Sequence, residues 1–282
     1  YPDRSVSRAE IAALLTRVVE PETRLTLTWS VAPYHSAKGA TLAGLVEAPQ
    51  ETALPSSAKD TAAIDSLVRD MLARGEHTIT LQYSKVLTSS AATALTQAFT
   101  SCVKTYCEQM YNAVSCKSYS TGKVSLAFSS TACTDAQLET YRTKALAAAV
   151  KVHDALWESG ELSYGMSQYE IAQVYYQWLC EHCRYDDGAG DDSLSHLAYG
   201  ALVNGLAVCD GYTGAYNLLL KLEGIDCTAL FNDSHIWTVA KLDGRTYHID
   251  VTWGDQYGRT DLRYFGMTAE QSRKYHPWTE KK

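Results

Sequence analysis

The sequence predicts an α+β fold, in which an antiparallel sheet packs on helices in the C-terminal part and a further α+β region precedes it. Two observations predict this class. Several segments carry apolar residues at helical spacing behind a Ser or Thr cap, which is typical of amphipathic helices. Other segments alternate apolar and polar residues between short turn sequences, which is typical of antiparallel strands.

Composition and net charge argue against two classes of protein, those that bind nucleic acid and those that span a membrane. The chain has 282 residues, of which 46% are apolar and 20% are charged, the balance of an ordinary globular protein. Its net charge is −7 and its basic residues are scattered, so we expect no nucleic-acid partner. No apolar run approaches the roughly 20 residues of a membrane helix, so we expect no membrane span. We also expect any leader peptide to be absent or already removed.

Helix starts are marked by capping boxes, in which a Ser or Thr side chain and a Glu or Gln side chain bond each other's backbone N–H groups. Boxes or weaker versions of them predict four helices, which start at residues 7–10, 57–60, 134–137 and 167–170. The first should end near Pro21, the second at Gly75 and the third at Gly160, since Pro and Gly commonly end helices. A fifth helix is predicted over residues 90–110.

Strands are predicted at residues 25–29 and 78–83, and as a hairpin over 114–128 that turns at Thr121 and Gly122. Residues 33–56 are rich in Ala, Pro, Ser and Thr and lack periodicity, so we expect a linker or exposed loop. These patterns divide the chain into four parts. They are a short helix (1–20), a strand and linker (21–57), an α+β region without an assigned role (58–160) and a C-terminal α+β domain (161–282).

Cys209 stands at the predicted start of a helix, whose apolar pattern begins at Tyr212 and ends at Gly224. The macrodipole and the free N–H groups of a helix N-terminus favour an anion. A thiol there ionises more readily and becomes a better nucleophile at neutral pH. Gly205 and Gly211 flank the cysteine, and we expect them to leave room for a substrate.

A nucleophilic thiol needs a base, and the base needs a group that orients it. Strands are predicted at residues 227–231, 235–242 and 245–253, and the turn Asp243-Gly244 joins the last two. With that turn, His235 and Asp250 become diagonal neighbours on one face of the hairpin, within reach of a hydrogen bond. The opposite face is apolar and suits a core.

Each of these residues also has a simpler interpretation. Cys209 could be a small buried residue, and His235 could be an ordinary surface histidine. Asp250 could serve only as a cap or ion-pair partner. His248 shares the face of Asp250 and could be the base in place of His235.

The remaining cysteines favour structural roles. Cys180 and Cys183 have the spacing of a redox or zinc pair, but no second ligand pair follows. A disulfide partner or a buried thiol is therefore favoured for them. A bridge among Cys102, Cys107 and Cys116 is a further hypothesis.

Several segments resemble motifs of the transglutaminase-like superfamily, and they occur in the same order along the chain, with Cys first, then His, then Asp. They are AYGALVNG (198–205), VCDGY (208–212), HIW (235–237), YHIDVTWG (247–254) and the end of a lead-in helix, WLCEHCRYD (178–186). The resemblance covers residues 167–282 and is closer to bacterial members than to the animal cross-linking enzymes, whose calcium sites have no counterpart here. It implies a papain-like core, in which the helix that carries Cys209 packs on the antiparallel sheet.

The resemblance also implies a catalytic triad of Cys209, His235 and Asp250. Cys209 attacks an amide carbonyl, His235 pairs with the thiolate and later protonates the leaving amine, and Asp250 holds the imidazole. The backbone N–H of Cys209 is the natural first oxyanion donor. Further oxyanion or substrate-binding candidates are Asn204, Tyr199, Tyr212 and Trp237. No cofactor and no metal are implied.

The N-terminal segment YPDRSVSRAEIAALLTR (1–17) resembles the start of an S-layer homology repeat. That family anchors exported bacterial proteins to cell-wall polysaccharide. The resemblance implies an extracellular, wall-associated protein of which this chain is a piece. A plain amphipathic helix with a good N-cap is the alternative.

Together these inferences lead to one expected function and one alternative. We expect a secreted or cell-surface thiol enzyme that cleaves or transfers peptide or isopeptide amides, with cell-wall peptides among its candidate substrates. Water as acceptor gives a peptidase or amidase, which we favour, and a lysine amine gives a cross-linker; the residues themselves do not choose. The alternative is a non-catalytic cell-wall binding or assembly module that keeps the fold. A metalloenzyme is disfavoured because no His, Cys and Asp cluster has ligand spacing.

Overall fold

The structure, a computed structural model, describes residues 37–256 and 259–277. These residues contain seven α-helices and eight β-strands. The helices are α1 (Thr61–Ala73), α2 (Ser89–Thr105), α3 (Asp135–Ser159), α4 (Gln168–His182), α5 (Cys209–Leu222), α6 (Val251–Gly254) and α7 (Ala269–Tyr275). The strands are β1 (Thr78–Gln82), β2 (Ala113–Ser118), β3 (Lys123–Ser129), β4 (Arg184–Tyr185), β5 (Leu206–Ala207), β6 (Cys227–Phe231), β7 (Ile236–Leu242) and β8 (Arg245–Ile249). Helices mixed with two antiparallel sheets confirm the predicted α+β class. The predicted helix after residue 7, the S-layer-like segment and the predicted strand 25–29 lie outside the described residues.

The ends of α3 and α4 confirm two predicted helices. Thr134 accepts from the Gln137 N–H while the Gln137 side chain accepts from the Thr134 N–H, and Ser167 and Glu170 make the same exchange before α4. α3 ends at Gly160, whose φ of +83° lies in the left-handed region. Glycine adopts that region without steric strain, so it ends a helix readily.

Two other helix boundaries differ from the predictions. α1 begins at Thr61 rather than directly behind Ser57, and its N-cap residue makes no side-chain hydrogen bond. The Ser57 hydroxyl accepts instead from the Lys59 N–H, a local contact that competes with capping. α2 is shorter than predicted, because a 3₁₀ turn (Cys107–Gln109) follows it and Met110 has a φ of +64°, outside the helical region.

The first sheet has the strand order β1-β3-β2, and its β2-β3 hairpin confirms the one predicted over residues 114–128. Gly122 closes the turn with a φ of +82°. A Cβ at that position would lie 2.5 Å from the Tyr83 carbonyl oxygen. Glycine is therefore required there by both conformation and space.

Residues 37–46 differ from the prediction of a linker or exposed loop, because three of their side chains are buried, whereas most of residues 47–56 are exposed. Ala37, Leu42 and Val46 are buried in the hydrophobic core. The Gln109 side-chain amide donates to the Leu42 carbonyl at 3.0 Å. The segment lacks periodicity because it packs as irregular chain, with one short 3₁₀ turn (Ala43–Leu45), rather than because it is free of the domain.

The second sheet, β6-β7-β8, is antiparallel and has the predicted register at its hairpin. Leu242 pairs with Arg245 across the turn formed by Asp243 and Gly244. Both turn residues have positive φ, 49° and 80°, as a two-residue hairpin loop of this kind requires. The predicted pairing of the strands that lead to His235 is therefore confirmed.

The third strand of that sheet is shorter than predicted, since β8 ends at Ile249 rather than running through residues 245–253. The Asp250 side chain accepts from the Trp253 N–H and so starts the helical turn α6. A Cβ on Gly254 would lie 1.7 Å from the Tyr176 hydroxyl oxygen. Glycine is thus needed where α6 packs on α4.

Asp243 also ties the hairpin turn to the start of α4. Its carboxylate oxygens accept from the N–H groups of Gln168 at 3.0 Å and Tyr169 at 3.1 Å. Gln168 Oε1 accepts in return from the Asp243 N–H at 2.9 Å. The first N–H groups of a helix have no partner within it, so a carboxylate there both caps the helix and is favoured by its dipole.

α5 is the central helix and packs against α3, α4 and the strands β6 and β7. Its residues from Gly211 to Leu220 are all buried, the pattern of a helix enclosed on every side. Inside this packing, Thr238 Oγ1 donates to Asn217 Oδ1 at 2.7 Å. This bond joins the helix to β7.

None of the eight cysteines, which all lie within the described residues, forms a disulfide. The hypothesis of a bridge among Cys102, Cys107 and Cys116 is therefore wrong. Cys180 and Cys183 are buried thiols, one of the two interpretations favoured from their spacing. Burial raises the pKa of the Cys183 thiol to about 11, which makes it unreactive at neutral pH.

Candidate active site

Cys209 is the first residue of α5. The Ser195 carbonyl holds the start of this helix in place, because it accepts a hydrogen bond from the Val208 N–H at 3.0 Å. A Cβ on Gly211 would lie 2.2 Å from that same carbonyl oxygen. The expectation that Gly211 leaves room for a substrate is wrong, since the protein's own backbone fills the space.

His235 precedes β7 and is held beside the start of α5 by polar contacts. Asn232 Oδ1 accepts from the His235 N–H at 2.8 Å and so fixes the turn before the strand. Thr213 Oγ1 lies 2.7 Å from the Cys209 carbonyl oxygen and 3.2 Å from that of Ile236, which links α5 to β7. The imidazole is hydrogen-bonded to Asp250 and lines one cavity with Cys209.

Asp250, which is 1% exposed, completes this row of side chains. Its Oδ2 lies 2.8 Å from His235 Nε2, and its Oδ1 accepts from the Trp253 N–H at 3.1 Å. Burial favours the neutral acid, but the hydrogen bond from His235 and the nearby His276 imidazole outweigh it and hold the pKa of Asp250 below its usual range. Since Nε2 faces this carboxylate, the other ring nitrogen of His235 is the one left for the sulfur.

The same contacts determine the protonation of His235. Burial would lower the pKa of the imidazole, but the hydrogen bond to Asp250 and the nearby Asp250 and Cys209 side chains raise it to about 9. The ring is therefore charged at neutral pH when the sulfur is ionised. An imidazolium between a thiolate and a carboxylate is the arrangement that activates cysteine nucleophiles.

The raised pKa of His235 predicts a pH-dependent stability. A folded-state pKa above the ordinary value of 6.5 contributes stability that is fully present below pH 6.5 and is lost as the pH rises through about 9. We expect the free energy of unfolding of the wild type, relative to His235→Gln, to fall by about 3 kcal/mol across that interval. Urea titrations at several pH values measure this difference. A difference that stays constant with pH would contradict the assigned His235–Asp250 interaction.

The carboxylate of Asp210, directly after Cys209, is hydrogen-bonded to His196. His196 Nδ1 lies 2.9 Å from the Asp210 carboxylate, and that hydrogen bond raises the pKa of His196. The raised pKa favours the cationic form of the imidazole, whose charge is opposite to that of the Asp210 carboxylate.

Two cavities meet at His235. The larger, of about 370 Å³, is lined by Cys209 and His235 and also by the carboxylates of Asp191, Asp210 and Asp233. The smaller, of about 310 Å³, is lined by Arg184, Tyr185, His235, Thr252, Trp253, Asp255, Gln256 and Tyr264. Cys209 is half-buried rather than enclosed in apolar packing. A substrate carbonyl can therefore approach the sulfur from the larger cavity.

The structure brings Cys209, His235 and Asp250 together but leaves the four other candidate residues outside both cavities. Tyr212 is buried and donates to Asp255 Oδ2 at 2.6 Å, and Trp237 is also fully buried. Tyr199 packs its ring against Tyr141, with centroids 4.6 Å apart. Asn204 is exposed at the end of a π-helical turn (Gly200–Asn204).

His248, the alternative base, lies in the interior. Its Nδ1 accepts from Trp237 Nε1 at 3.1 Å. Burial, with the charges of Arg273 and His276, lowers the pKa of His248 to about 4. A buried neutral imidazole that already accepts a hydrogen bond has no access to a substrate proton, so His235 is the better placed of the two.

His276 is a site residue that the sequence analysis missed. It follows α7 and places its Nε2 3.0 Å from Asp250 Oδ2. No local pattern signals this contact, because His276 stands alone in the sequence far beyond Asp250. Within residues 37–256 and 259–277, the group of His235, Asp250 and His276 has its candidate metal-ligand atoms within 4.8 Å of one another.

No helix in the described ranges is both long enough and apolar enough to span a membrane. No protein-family model matches the chain. Human kyphoscoliosis peptidase is 26% identical over 103 residues, which is 30% of this chain and 16% of that protein. The mouse kyphoscoliosis peptidase is 27% identical over 106 residues, 31% of this chain and 16% of its own length.

A crystal structure described as that of a TGase aligns with 72% of this chain and 56% of its own, at 16% identity and a TM-score of 0.32. The chain spans 16% of the length of the curated peptidases that it matches. Over about a hundred residues, then, this chain is similar in sequence to two mammalian proteins named as peptidases.

Proposed function

We propose that this chain is a transglutaminase-like cysteine enzyme that hydrolyses peptide or isopeptide amides through a thioester on Cys209. One observation carries the proposal: the His235 imidazole is hydrogen-bonded to the buried Asp250 carboxylate and lines one open cavity together with Cys209. A purely structural module has no need of this row of groups beside a cavity. The motif order Cys, His, Asp is the further support from sequence.

In the proposed reaction, the Cys209 thiolate attacks the amide carbonyl carbon, and the carbonyl oxygen becomes an oxyanion. The N–H groups of the first turn of α5 have no partner within the helix, so the Cys209 N–H is available as an oxyanion donor. The His235 imidazolium gives its proton to the amine nitrogen, and the C–N bond breaks to leave a thioester. Water then attacks the thioester, His235 takes the proton of that water, and the acid leaves as the thiolate is restored.

Hydrolysis rather than cross-linking is proposed because the curated relatives are named as peptidases. The acceptor distinguishes the two outcomes: water releases a free acid, whereas a lysine amine leaves a new amide. An extracellular, wall-associated location and a cell-wall peptide substrate are parts of the same proposal. They rest on the S-layer-like sequence of residues 1–17 alone.

Thiol labelling tests the proposal without a known substrate. We expect iodoacetamide near neutral pH to alkylate Cys209 at least about tenfold faster than the part-exposed Cys102, Cys116 and Cys133, because His235 stabilises its thiolate. Peptide mapping by mass spectrometry gives the rate at each thiol. His235→Ala should reduce the Cys209 rate to that of the other three.

The matched control is His182→Ala, which removes an exposed histidine stacked on Trp178, away from both cavities that meet at His235. It should leave the Cys209 rate unchanged. Alkylation of Cys209 no faster than that of Cys116 would instead favour the binding or assembly module.

A further inference from the structure

A second imidazole contacts the buried carboxylate of the site. His276 Nε2 lies 3.0 Å from Asp250 Oδ2, the oxygen that already lies 2.8 Å from His235 Nε2. The side chains of His276 and Asp250 are 1% and 0% exposed. Water therefore does not screen the contact, and electrostatic interactions at such a site are stronger than at the surface.

The two imidazoles do not bind Asp250 in the same way. His235 Nε2 makes a hydrogen bond with Oδ2, whereas His276 Nε2 makes none although it lies 3.0 Å from the same oxygen. His276 therefore acts on the carboxylate as a close polar neighbour, and His235 keeps the directed bond. Both interactions favour the ionised form of Asp250.

Packing fixes the position of His276. Its ring stacks on Trp237, with centroids 4.7 Å apart and planes at 27°, and it meets Trp253 at 4.2 Å and 60°. The His276 N–H donates to the Ser272 carbonyl at 2.7 Å, which joins the residue to the end of α7. The capping box of Thr268 and Gln271 starts that helix. The end of α7 thus holds the His276 imidazole beside the Asp250 carboxylate.

We propose that His276 is a positioning residue, which shares the Asp250 carboxylate with His235 and so keeps the His235 imidazole directed at Cys209. The inference rests on the proposed function for its catalytic consequence but not for its electrostatic one. The titratable or charged groups around His276 are Asp250, His235, His248, Arg273 and Tyr275.

Two substitutions separate the polar contact of His276 from its packing. His276→Phe keeps an aromatic ring between Trp237 and Trp253 but has no N–H, and His276→Gln has an N–H of similar reach but no ring. We expect His276→Phe to lower kcat for hydrolysis of p-nitrophenyl acetate by about 10- to 100-fold with little change in KM, because the base is misdirected. His276→Gln should recover most of that loss.

The electrostatic consequence is measured by NMR titration of the His235 ring protons, which needs no turnover. Without His276, the Asp250 charge acts on His235 alone, so the pKa of His235 should rise in His276→Phe and return toward the wild-type value in His276→Gln. If the wild type lacks esterase activity but the titration shifts as stated, the proposed function fails and the contact with Asp250 is upheld. An unshifted titration with full wild-type activity overturns the positioning role.

A matched control and a metal test complete the experiment. His153 is equally buried, with Asp154 2.9 Å from its Nδ1 and Glu223 3.2 Å from its Nε2, but it lines neither cavity at His235. His153→Gln should leave kcat unchanged. If His276→Phe fails to fold, His276→Gln carries the test, and a loss of kcat in it greater than tenfold overturns the proposal. Wild-type activity should survive a chelator, and activity that a chelator removes and zinc restores would assign the three residues to a metal instead.

Discussion

Asp250→Asn is expected to lower kcat for ester or amide hydrolysis by about 10³- to 10⁴-fold while the fold stays intact. An asparagine amide that donates to His235 Nε2 forces the imidazole proton onto the other ring nitrogen. That nitrogen faces Cys209 and then cannot accept the thiol proton. The N-cap bond from the Trp253 N–H to the side-chain oxygen can persist, because Asn caps helices as well as Asp does.

Steady-state kinetics with p-nitrophenyl acetate measure this effect, and thermal unfolding checks the fold. Asp261→Asn is the matched control, since Asp261 caps the 3₁₀ turn Leu262–Tyr264 in the same manner but lines neither cavity at His235. It should leave kcat within a factor of about two. A kcat for Asp250→Asn within tenfold of the wild type would remove Asp250 from the proposed triad.

Lys221→Met is expected to lower the free energy of unfolding by about 3–5 kcal/mol. Lys221 Nζ lies 2.5 Å from Glu108 Oε1, and the Glu108 side chain is fully buried. Burial lowers the pKa of Lys221, but the Glu108 charge outweighs it and keeps the amine protonated. Removing the ammonium leaves a buried carboxylate without its counter-charge, which costs far more than the loss of one contact.

Urea titration followed by circular dichroism measures this loss. The double variant Glu108→Gln/Lys221→Met should recover most of it, because no buried charge is left unpaired. Lys274→Met is the surface control: its partner Glu270 lies 3.8 Å away and both side chains are exposed, so the change should stay within about 0.5 kcal/mol. A loss below about 1 kcal/mol for Lys221→Met would indicate that water reaches Glu108.

The contact between His235 and Asp250 could be predicted because its determinants are local. A two-residue turn sets the hairpin register, and alternation of side chains along the strands then places both residues on one face. The strand itself ends before Asp250, yet the side chains still meet at 2.8 Å. The capping boxes before α3 and α4 could also be predicted from the sequence, because the two residues of each box lie within one helical turn.

The rest of the site could not be predicted, because it depends on contacts between segments that are distant in sequence. His276 reaches Asp250 only because α7 docks under the sheet, and no spacing rule describes such docking. The glycine at position 211 predicts open space for a substrate, but the Ser195 carbonyl occupies that space. The segment at Leu42 lacks periodicity, so its burial is invisible until the core is assembled.

The turn at Asp243 and Gly244 makes the site sensitive to chain length. One residue added between this turn and His235 would rotate the imidazole to the opposite side of the sheet, away from Asp250. The turn cannot shift to accommodate such an addition, because Asp243 is also hydrogen-bonded to the backbone of Gln168 and Tyr169. The hairpin should therefore accept changes of side chain along its exposed edge far more readily than insertions or deletions.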